Sequence, residues 1–107
     1  MSSSDFIPAI SADEVKEGTI KPVTVVGRSV LLIKRDGQIY GVASRCPHMG
    51  CSLANGKLNG YILTCPCHGW SFDIRNGQYQ SNKAIVLMTF ECKVENGQVF
   101  MRMFDDF

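Results

Sequence analysis

Short hydrophobic runs, rich in β-branched and aromatic residues, recur along the chain and are separated by small polar residues. Their length and composition are typical of β-strands. The runs lie at 23–26, 30–33, 39–42, 61–64, 85–94 and 99–104. Short strands with frequent tight turns predict an all-β fold, an antiparallel β-sandwich or barrel.

The turns between these runs are marked by five pairs of Asp or Asn followed by Gly. Each pair predicts a type I′ turn, in which both central residues need a positive φ. The pairs are Asp36-Gly37, Asn55-Gly56, Asn59-Gly60, Asn76-Gly77 and Asn96-Gly97. The one helical signal is the capping-box spacing of Ser11 and Glu14, and Gly18 is expected to end that helix within two turns.

Two segments, 45–55 and 65–70, do not fit the strand pattern. Both are rich in Cys, His, Pro and Gly, and each joins two predicted strands, so we expect two loops that meet at one end of the sheet. The first contains CPHMGC at 46–51, and the second is CPCHGW at 65–70. These loops contain the residues that we expect to carry the function of the protein.

Composition limits the classes of protein that need to be considered. A chain of 107 residues with 45% hydrophobic and 20% charged residues predicts one globular domain, 1–107. The net charge of +1 gives no reason to expect nucleic-acid or membrane binding. No apolar run is long enough to cross a bilayer, and the first residues lack the pattern of a signal peptide, so we expect a cytoplasmic protein.

Cysteine usage points to metal. The five cysteines are an odd number, which argues against a pure disulfide framework. Four of them lie between 46 and 67, together with the only two histidines. Cys92 is different: it alternates with Phe90 and Val94 on a predicted strand, which predicts a structural position facing the core.

The candidate ligands are Cys46 and His48 in the first loop and Cys65 and His68 in the second. Two thiolates and two imidazoles can bind zinc or an iron–sulfur cluster. Zinc fingers typically pair Cys with Cys and His with His, whereas here each loop contributes one of each. A dinuclear cluster with two Cys on one iron and two His on the other fits this arrangement better.

The two loops resemble those of the Rieske family, C-x-H-x-G-C and C-P-C-H-G-x. The resemblance implies one [2Fe–2S] cluster with Cys46 and Cys65 on one iron and His48 and His68 on the other. It also implies a small β fold with a cluster-binding subdomain, about 45–72, at one tip. In members that carry the two further loop cysteines, here Cys51 and Cys67, these form a disulfide.

Trp70 and Phe72 depart from the high-potential members of that family. Those members have Ser and Tyr at the matching positions, and the two hydroxyls donate hydrogen bonds to cluster sulfurs. Neither Trp70 nor Phe72 can make those hydroxyl bonds. Such bonds stabilise the reduced cluster, so the resemblance implies a lower potential for this chain.

The function expected from the resemblance is one-electron transfer by a Rieske-type ferredoxin, without bond chemistry of its own. Its partners would be a reductase and an acceptor such as a multicomponent oxygenase. The alternatives are the small Rieske-like subunit of a reductase of the nitrite reductase type and a structural zinc-binding interaction module. A redox sensor that uses Cys51 and Cys67 is a further possibility.

Overall fold

This computed structural model describes residues 6–45, 51–67 and 69–102. Within these ranges the chain forms ten β-strands, which pair with one another in antiparallel sheets. The strands are β1 (Phe6–Ser11), β2 (Ile20–Val25), β3 (Arg28–Arg35), β4 (Gln38–Ala43), β5 (Lys57–Asn59), β6 (Ile62–Thr64), β7 (Ser71–Asp73), β8 (Thr89–Phe90), β9 (Cys92–Glu95) and β10 (Gln98–Arg102). They form three sheets, with the orders β1-β10-β9, β2-β3-β4-β8 and β5-β6-β7. The prediction of an antiparallel all-β fold is confirmed.

Strand β3 explains how two hydrophobic cores fit into so small a protein. Successive side chains on a strand point to opposite faces, and here both faces are covered, so the run from Val30 to Ile33 is buried throughout. Leu31 and Ile33 belong to a first core, shared with the β5-β6-β7 sheet. Val30 and Leu32 belong to a second core, shared with β10.

The first core includes residues from both predicted loops. It is formed by Leu31, Ile33, Val42, Leu53, Leu63, Cys65, Phe72, Ile74 and Leu87. The second core lies on the opposite face of β3 and is formed by Val15, Val25, Val30, Leu32, Phe90, Val99 and Met101. Each predicted loop therefore contributes to the first core, the first loop with Leu53 and the second with Cys65.

Two of the five predicted type I′ turns have the required backbone. Both residues have positive φ in Asp36-Gly37, at 54° and 80°, and in Asn96-Gly97, at 54° and 76°. These pairs close the β3–β4 and β9–β10 hairpins. Val26-Gly27 closes β2–β3 in the same way, at 52° and 76°, although valine is sterically disfavoured there.

The other three predicted turns are wrong in type. Asn55 ends a 3-10 helix, Leu53–Asn55, and Gly56 has a φ of −74°. In Asn59-Gly60 and Asn76-Gly77 only the glycine has a positive φ. The helix signalled by Ser11 is a single 3-10 turn, Ala12–Glu14, and the Ser11 side chain makes no capping hydrogen bond.

The strand predicted at 85–94 is divided in the structure. Only Thr89–Phe90 and Cys92–Glu95 are strands, and they belong to different sheets. Cys92 is partly buried against the second core, as expected, but Val94 is exposed. Burial raises the pKa of the Cys92 thiol to about 12, so this cysteine is an unreactive thiol at neutral pH.

The β3–β4 hairpin is tethered to the turn between β5 and β6. The Tyr61 hydroxyl donates a hydrogen bond to the Asp36 carboxylate, and Arg35 Nε donates one to the Gly60 carbonyl at 2.9 Å. The Arg75 guanidinium lies 4.3 Å above the Tyr61 ring. These contacts fix one end of the β5-β6-β7 sheet on the rest of the fold. Within the described ranges, no helix has the length and apolar composition that crossing a membrane requires.

The tether predicts an unusual tyrosine titration. The hydrogen bond to Asp36 raises the pKa of Tyr61 to about 12. A raised pKa means that the bond stabilises the fold fully below pH 10, the ordinary value for tyrosine, and that this contribution is lost as the pH rises through 12. Ultraviolet titration of the three tyrosines should therefore show one phenol that ionises late.

Two variants identify that phenol. In Tyr61→Phe the late transition should disappear, and in Asp36→Asn it should move towards pH 10 because the acceptor has lost its charge. Tyr79→Phe is the control, because it leaves Tyr61, Asp36 and the neighbouring Tyr40 unchanged and should keep the late transition. Simultaneous titration of all three tyrosines in the wild type would contradict the tether.

Candidate metal centre

A disulfide joins the two loops that the sequence singles out. Cys51 and Cys67 are bonded to each other, with their Cα atoms 6.5 Å apart, which confirms the pairing implied by the resemblance. Residues 46–50 directly precede Cys51 in the chain, and residue 68 directly follows Cys67. Both candidate ligand segments are therefore attached to the two ends of one covalent link.

The first loop is fixed where it returns to the fold. Arg45 and Ser52 form an antiparallel bridge, and the Leu53 backbone N–H donates to the Ser44 carbonyl at 2.7 Å. The Ser52 hydroxyl accepts a hydrogen bond from the Ala54 backbone N–H at 3.2 Å and so caps the 3-10 helix. Leu53 is fully buried in the first core, which anchors this end of the loop.

The second loop is closed by the ends of β6 and β7. The Cys65 N–H donates to the Trp70 carbonyl at 2.7 Å, and the Gly69 N–H donates to the Cys65 carbonyl at 3.1 Å. Gly69 has a φ of 74°, in the left-handed region that glycine adopts without strain. The side-chain hydroxyls of Thr64 and Ser71 lie 3.1 Å apart just below the loop.

Cys65 is the one predicted ligand that lies within the described residues. Its thiol is free and its side chain is only 2% exposed, within the first core. The sulfur atoms of Cys51, Cys65 and Cys67 all lie within 4.8 Å of one another. The other three predicted ligands, Cys46, His48 and His68, lie outside the described residues.

The donor set at this junction suits a sulfur-ligated metal centre. Because Cys51 and Cys67 are bonded to each other, neither offers a thiolate, and among the residues that the structure describes Cys65 presents the buried soft donor at this junction. The remaining predicted donors lie close to the disulfide in the sequence: Cys46 and His48 precede Cys51 in the same loop, and His68 follows Cys67. The residues present therefore fit a centre that uses one thiolate from the second loop and further ligands from the flanking segments.

The two residues assigned to tuning occupy different environments. Phe72 is fully buried in the first core together with Cys65. Trp70 is half-buried, and its ring stacks on that of Tyr79 with the centroids 4.1 Å apart. Tyr79 is not among the residues predicted from the sequence, although the chain reverses near Asn76-Gly77 and brings position 79 opposite Phe72.

Charge near the second loop is partly neutralised within the sheet. Arg75 Nε and Nη2 contact the two carboxylate oxygens of Asp73 at 3.0 and 2.8 Å. The hydrogen bond from Arg75 lowers the pKa of Asp73, which keeps this carboxylate ionised. The pair is mostly solvent-exposed on the Arg75 side, so it positions the two side chains more than it stabilises the fold.

Comparisons with known proteins place these loops in one family. The sequence profile of the Rieske [2Fe–2S] domain matches residues 5–91. Ferredoxin CarAc of Metapseudomonas resinovorans is 34% identical over 98 residues, which cover 90% of this chain and 92% of that ferredoxin. The family match includes both loops and all three strands of the β5-β6-β7 sheet.

Two further similarities concern larger assemblies or proteins. A solved complex of reduced oxygenase and oxidized ferredoxin in carbazole 1,9a-dioxygenase contains a chain that superposes with a TM-score of 0.81 at 29% identity, covering 91% of this chain and 92% of that one. Cholesterol 7-desaturase nvd of Hemicentrotus pulcherrimus is 35% identical over 75 residues, which are 68% of this chain. The match spans only 16% of that much longer desaturase.

The disulfide predicts a measurable contribution to stability. It closes a loop between positions separated by 16 residues, and a loop of that size contributes about 3 kcal/mol in the chain-entropy account. The double variant Cys51→Ala with Cys67→Ala should lose about that much free energy of unfolding. Denaturant titration with and without a reductant measures the loss.

The change in stability on adding a reductant shows whether the effect comes from the disulfide or from another cysteine. A reductant should destabilise the wild type and Cys92→Ala by equal amounts, because both retain the link between Cys51 and Cys67. It should leave the double variant unchanged. Two freely reactive thiols at positions 51 and 67 in the untreated wild type would refute the link.

Proposed function

The chain belongs to the Rieske [2Fe–2S] domain family, and we propose that it is the ferredoxin component of a multicomponent oxygenase. In this role it accepts one electron from a reductase, passes it to the oxygenase, and carries out no bond chemistry itself. The observation that carries the proposal is the near-complete overlap with a ferredoxin, in which both chains are covered almost end to end. The cytoplasm is the location that we propose for it.

We propose Cys46 and Cys65 as the ligands of one iron and His48 and His68 as those of the other. Support comes from Cys65, a buried free thiol, and from the disulfide that ties the two ligand-bearing segments together. When bound, the cluster supplies reversible one-electron uptake, and histidine ligation places its potential above that of all-cysteine clusters. The proposed organisation is one domain, 1–107, with a cluster-binding subdomain at about 45–72.

The surrounding side chains exclude water from the Cys65 side of this centre. Leu53, Leu63 and Phe72 are fully buried and share the first core with Cys65. The Cys65 backbone N–H is already engaged by the Trp70 carbonyl. Apolar cover limits solvent access and lowers the local dielectric, which are properties that tune the potential of a metal centre.

Metal analysis tests the proposed function. Purified protein should contain two irons and two acid-labile sulfides per chain, as one [2Fe–2S] cluster requires. Cys65→Ser should lose the visible absorbance, because a hydroxyl replaces the thiolate at a proposed ligand. Cys92→Ser is the matched control and should keep it, since Cys92 packs against the second core.

The same samples distinguish the competing class. A structural zinc-binding module would be colourless and would contain zinc without labile sulfide. That result in the wild type would overturn the electron-transfer proposal. Loss of the cluster in Cys92→Ser, with the cluster retained in Cys65→Ser, would overturn the ligand assignment.

Phe72→Tyr tests the assignment of Phe72 to potential tuning. The new phenol would lie in a fully buried position, where a hydroxyl needs an acceptor. A hydrogen bond to a charged acceptor such as a cluster sulfur contributes about 1.5–3 kcal/mol. Only the part of this energy that is gained on reduction shifts the potential, so the midpoint potential should rise by roughly tens of millivolts. The wild-type potential should lie in the Rieske span of about −150 to +300 mV.

Phe90→Tyr is the control for this change, because Phe90 is buried in the second core. It should lower the stability without shifting the potential. Protein-film voltammetry measures both variants. If Phe72→Tyr loses stability and keeps the wild-type potential, its hydroxyl has no sulfur acceptor and the tuning role is wrong.

A further inference from the structure

Three aromatic rings form a layered cluster at the end of the second loop, whose last residue is Trp70. Trp70 and Tyr79 stack almost in parallel, with an interplanar angle of 7° and centroids 4.1 Å apart. Phe72 lies beneath them, with its centroid 6.4 Å from that of Trp70 and 5.6 Å from that of Tyr79. Phe72 is fully buried, and the two outer rings are each half-buried. The outer pair therefore separates Phe72 from solvent.

Tyr79 is held in place by backbone pairing on both sides. It forms an antiparallel bridge with Phe72, flanked by hydrogen bonds from the Asp73 N–H to the Gln78 carbonyl at 3.0 Å and from the Gln80 N–H to the Ser71 carbonyl at 2.9 Å. On its other side, the Tyr79 N–H donates to the Ile85 carbonyl at 2.9 Å. The ring of Tyr79 is thus carried by a segment that extends the β5-β6-β7 sheet.

Trp70 connects these rings to the proposed cluster site. Its carbonyl accepts the hydrogen bond from the Cys65 N–H that closes the second loop. A shift of Trp70 would therefore disturb the loop that carries Cys65. The only tryptophan of the chain sits at this junction, between the loop and the Tyr79 ring.

The turn that follows Tyr79 is exposed and does not bury the Tyr79 ring. Residues 80–84, which follow Tyr79, are all exposed. They form a tight turn in which the Asn82 side chain accepts from the Ala84 N–H at 3.0 Å and the Asn82 carbonyl accepts from the Ile85 N–H at 3.0 Å. This turn faces solvent, whereas the ring of Tyr79 turns towards the protein and stacks on that of Trp70.

We propose that Tyr79 is a positioning residue, which holds Trp70 flat by ring stacking and so keeps water away from the Cys65 side of the cluster site. The inference rests on the proposed function, because it concerns protection of the cluster. The aromatic face of Tyr79 is what acts, since stacking depends on the ring and not on the hydroxyl. Tyr79→Phe should therefore behave as the wild type, and Tyr79→Ala should not.

Two readouts on the purified holoprotein test the proposal. The first is the emission of Trp70, the only tryptophan, which should shift to the red in Tyr79→Ala as water reaches the indole. The second is the rate at which the visible absorbance of the cluster is lost in air. That rate should rise roughly three- to tenfold in Tyr79→Ala, the range expected for loss of one aromatic pair.

Val99→Ala is the control for general destabilisation, because Val99 is fully buried in the second core. It should leave the Trp70 emission and the cluster lifetime close to those of the wild type. Equal cluster loss in Val99→Ala and Tyr79→Ala would overturn the positioning role, as would unchanged emission in Tyr79→Ala. A red shift in Tyr79→Phe equal to that in Tyr79→Ala would also overturn it.

The experiment gives different results when the proposed function is wrong and when only the role of Tyr79 is wrong. Protein without iron and labile sulfide would refute the cluster, whatever Tyr79 does. Protein that holds the cluster but shows no effect of Tyr79→Ala would refute only the positioning role. The two conclusions are thus separated by the metal content of the wild type.

Discussion

The covalent link between Cys51 and Cys67 is the constraint on which the site depends. It joins the loop between β4 and β5 to the loop between β6 and β7. The buried thiol of Cys65 lies beside this link. The link also removes two cysteines from competition for a metal, since a disulfide sulfur is no thiolate ligand. The choice of donors is therefore restricted before any metal binds.

The short strand β6 connects the disulfide-linked loops to the β3–β4 hairpin. At its beginning, Tyr61 is tied to the β3–β4 hairpin through Asp36, and at its end the chain enters the second loop at Cys65. The sheet is thus held at one end by hydrogen bonds to the scaffold and at the other by the disulfide. Between these ends it packs on the first core, which holds Leu63 and Phe72 in fixed positions.

Much of the fold and part of the site could be predicted from the sequence. The four-residue run from Val30 to Ile33 was recognisable because a strand covered on both faces is apolar without alternation. Strand β1 was missed because it contains Pro8, which is tolerated there since β1 is an edge strand with a register shift beside the proline. Strands β5 and β7 have three residues each, too few to show a period.

The two loops of the site were easier to predict from the sequence than the aromatic side chains that pack beside them. Cys, His, Pro and Gly at fixed spacing identified the loops, because metal chemistry restricts the residue types that can serve as ligands. The roles of Tyr79 and the turn at Val26-Gly27 depend on which strands become neighbours, and a valine in a left-handed conformation has no local signal in its favour. Such features follow from tertiary packing.

Coulometric titration of the holoprotein tests the central claim, one-electron transfer, most directly. The account predicts reversible uptake of one electron per chain, with a potential that changes by 59 mV for each tenfold change in the ratio of oxidised to reduced protein. Uptake of two electrons, with a change of about 30 mV and the appearance of two new thiols, would mean that the Cys51–Cys67 disulfide is the redox group. That result would contradict the account.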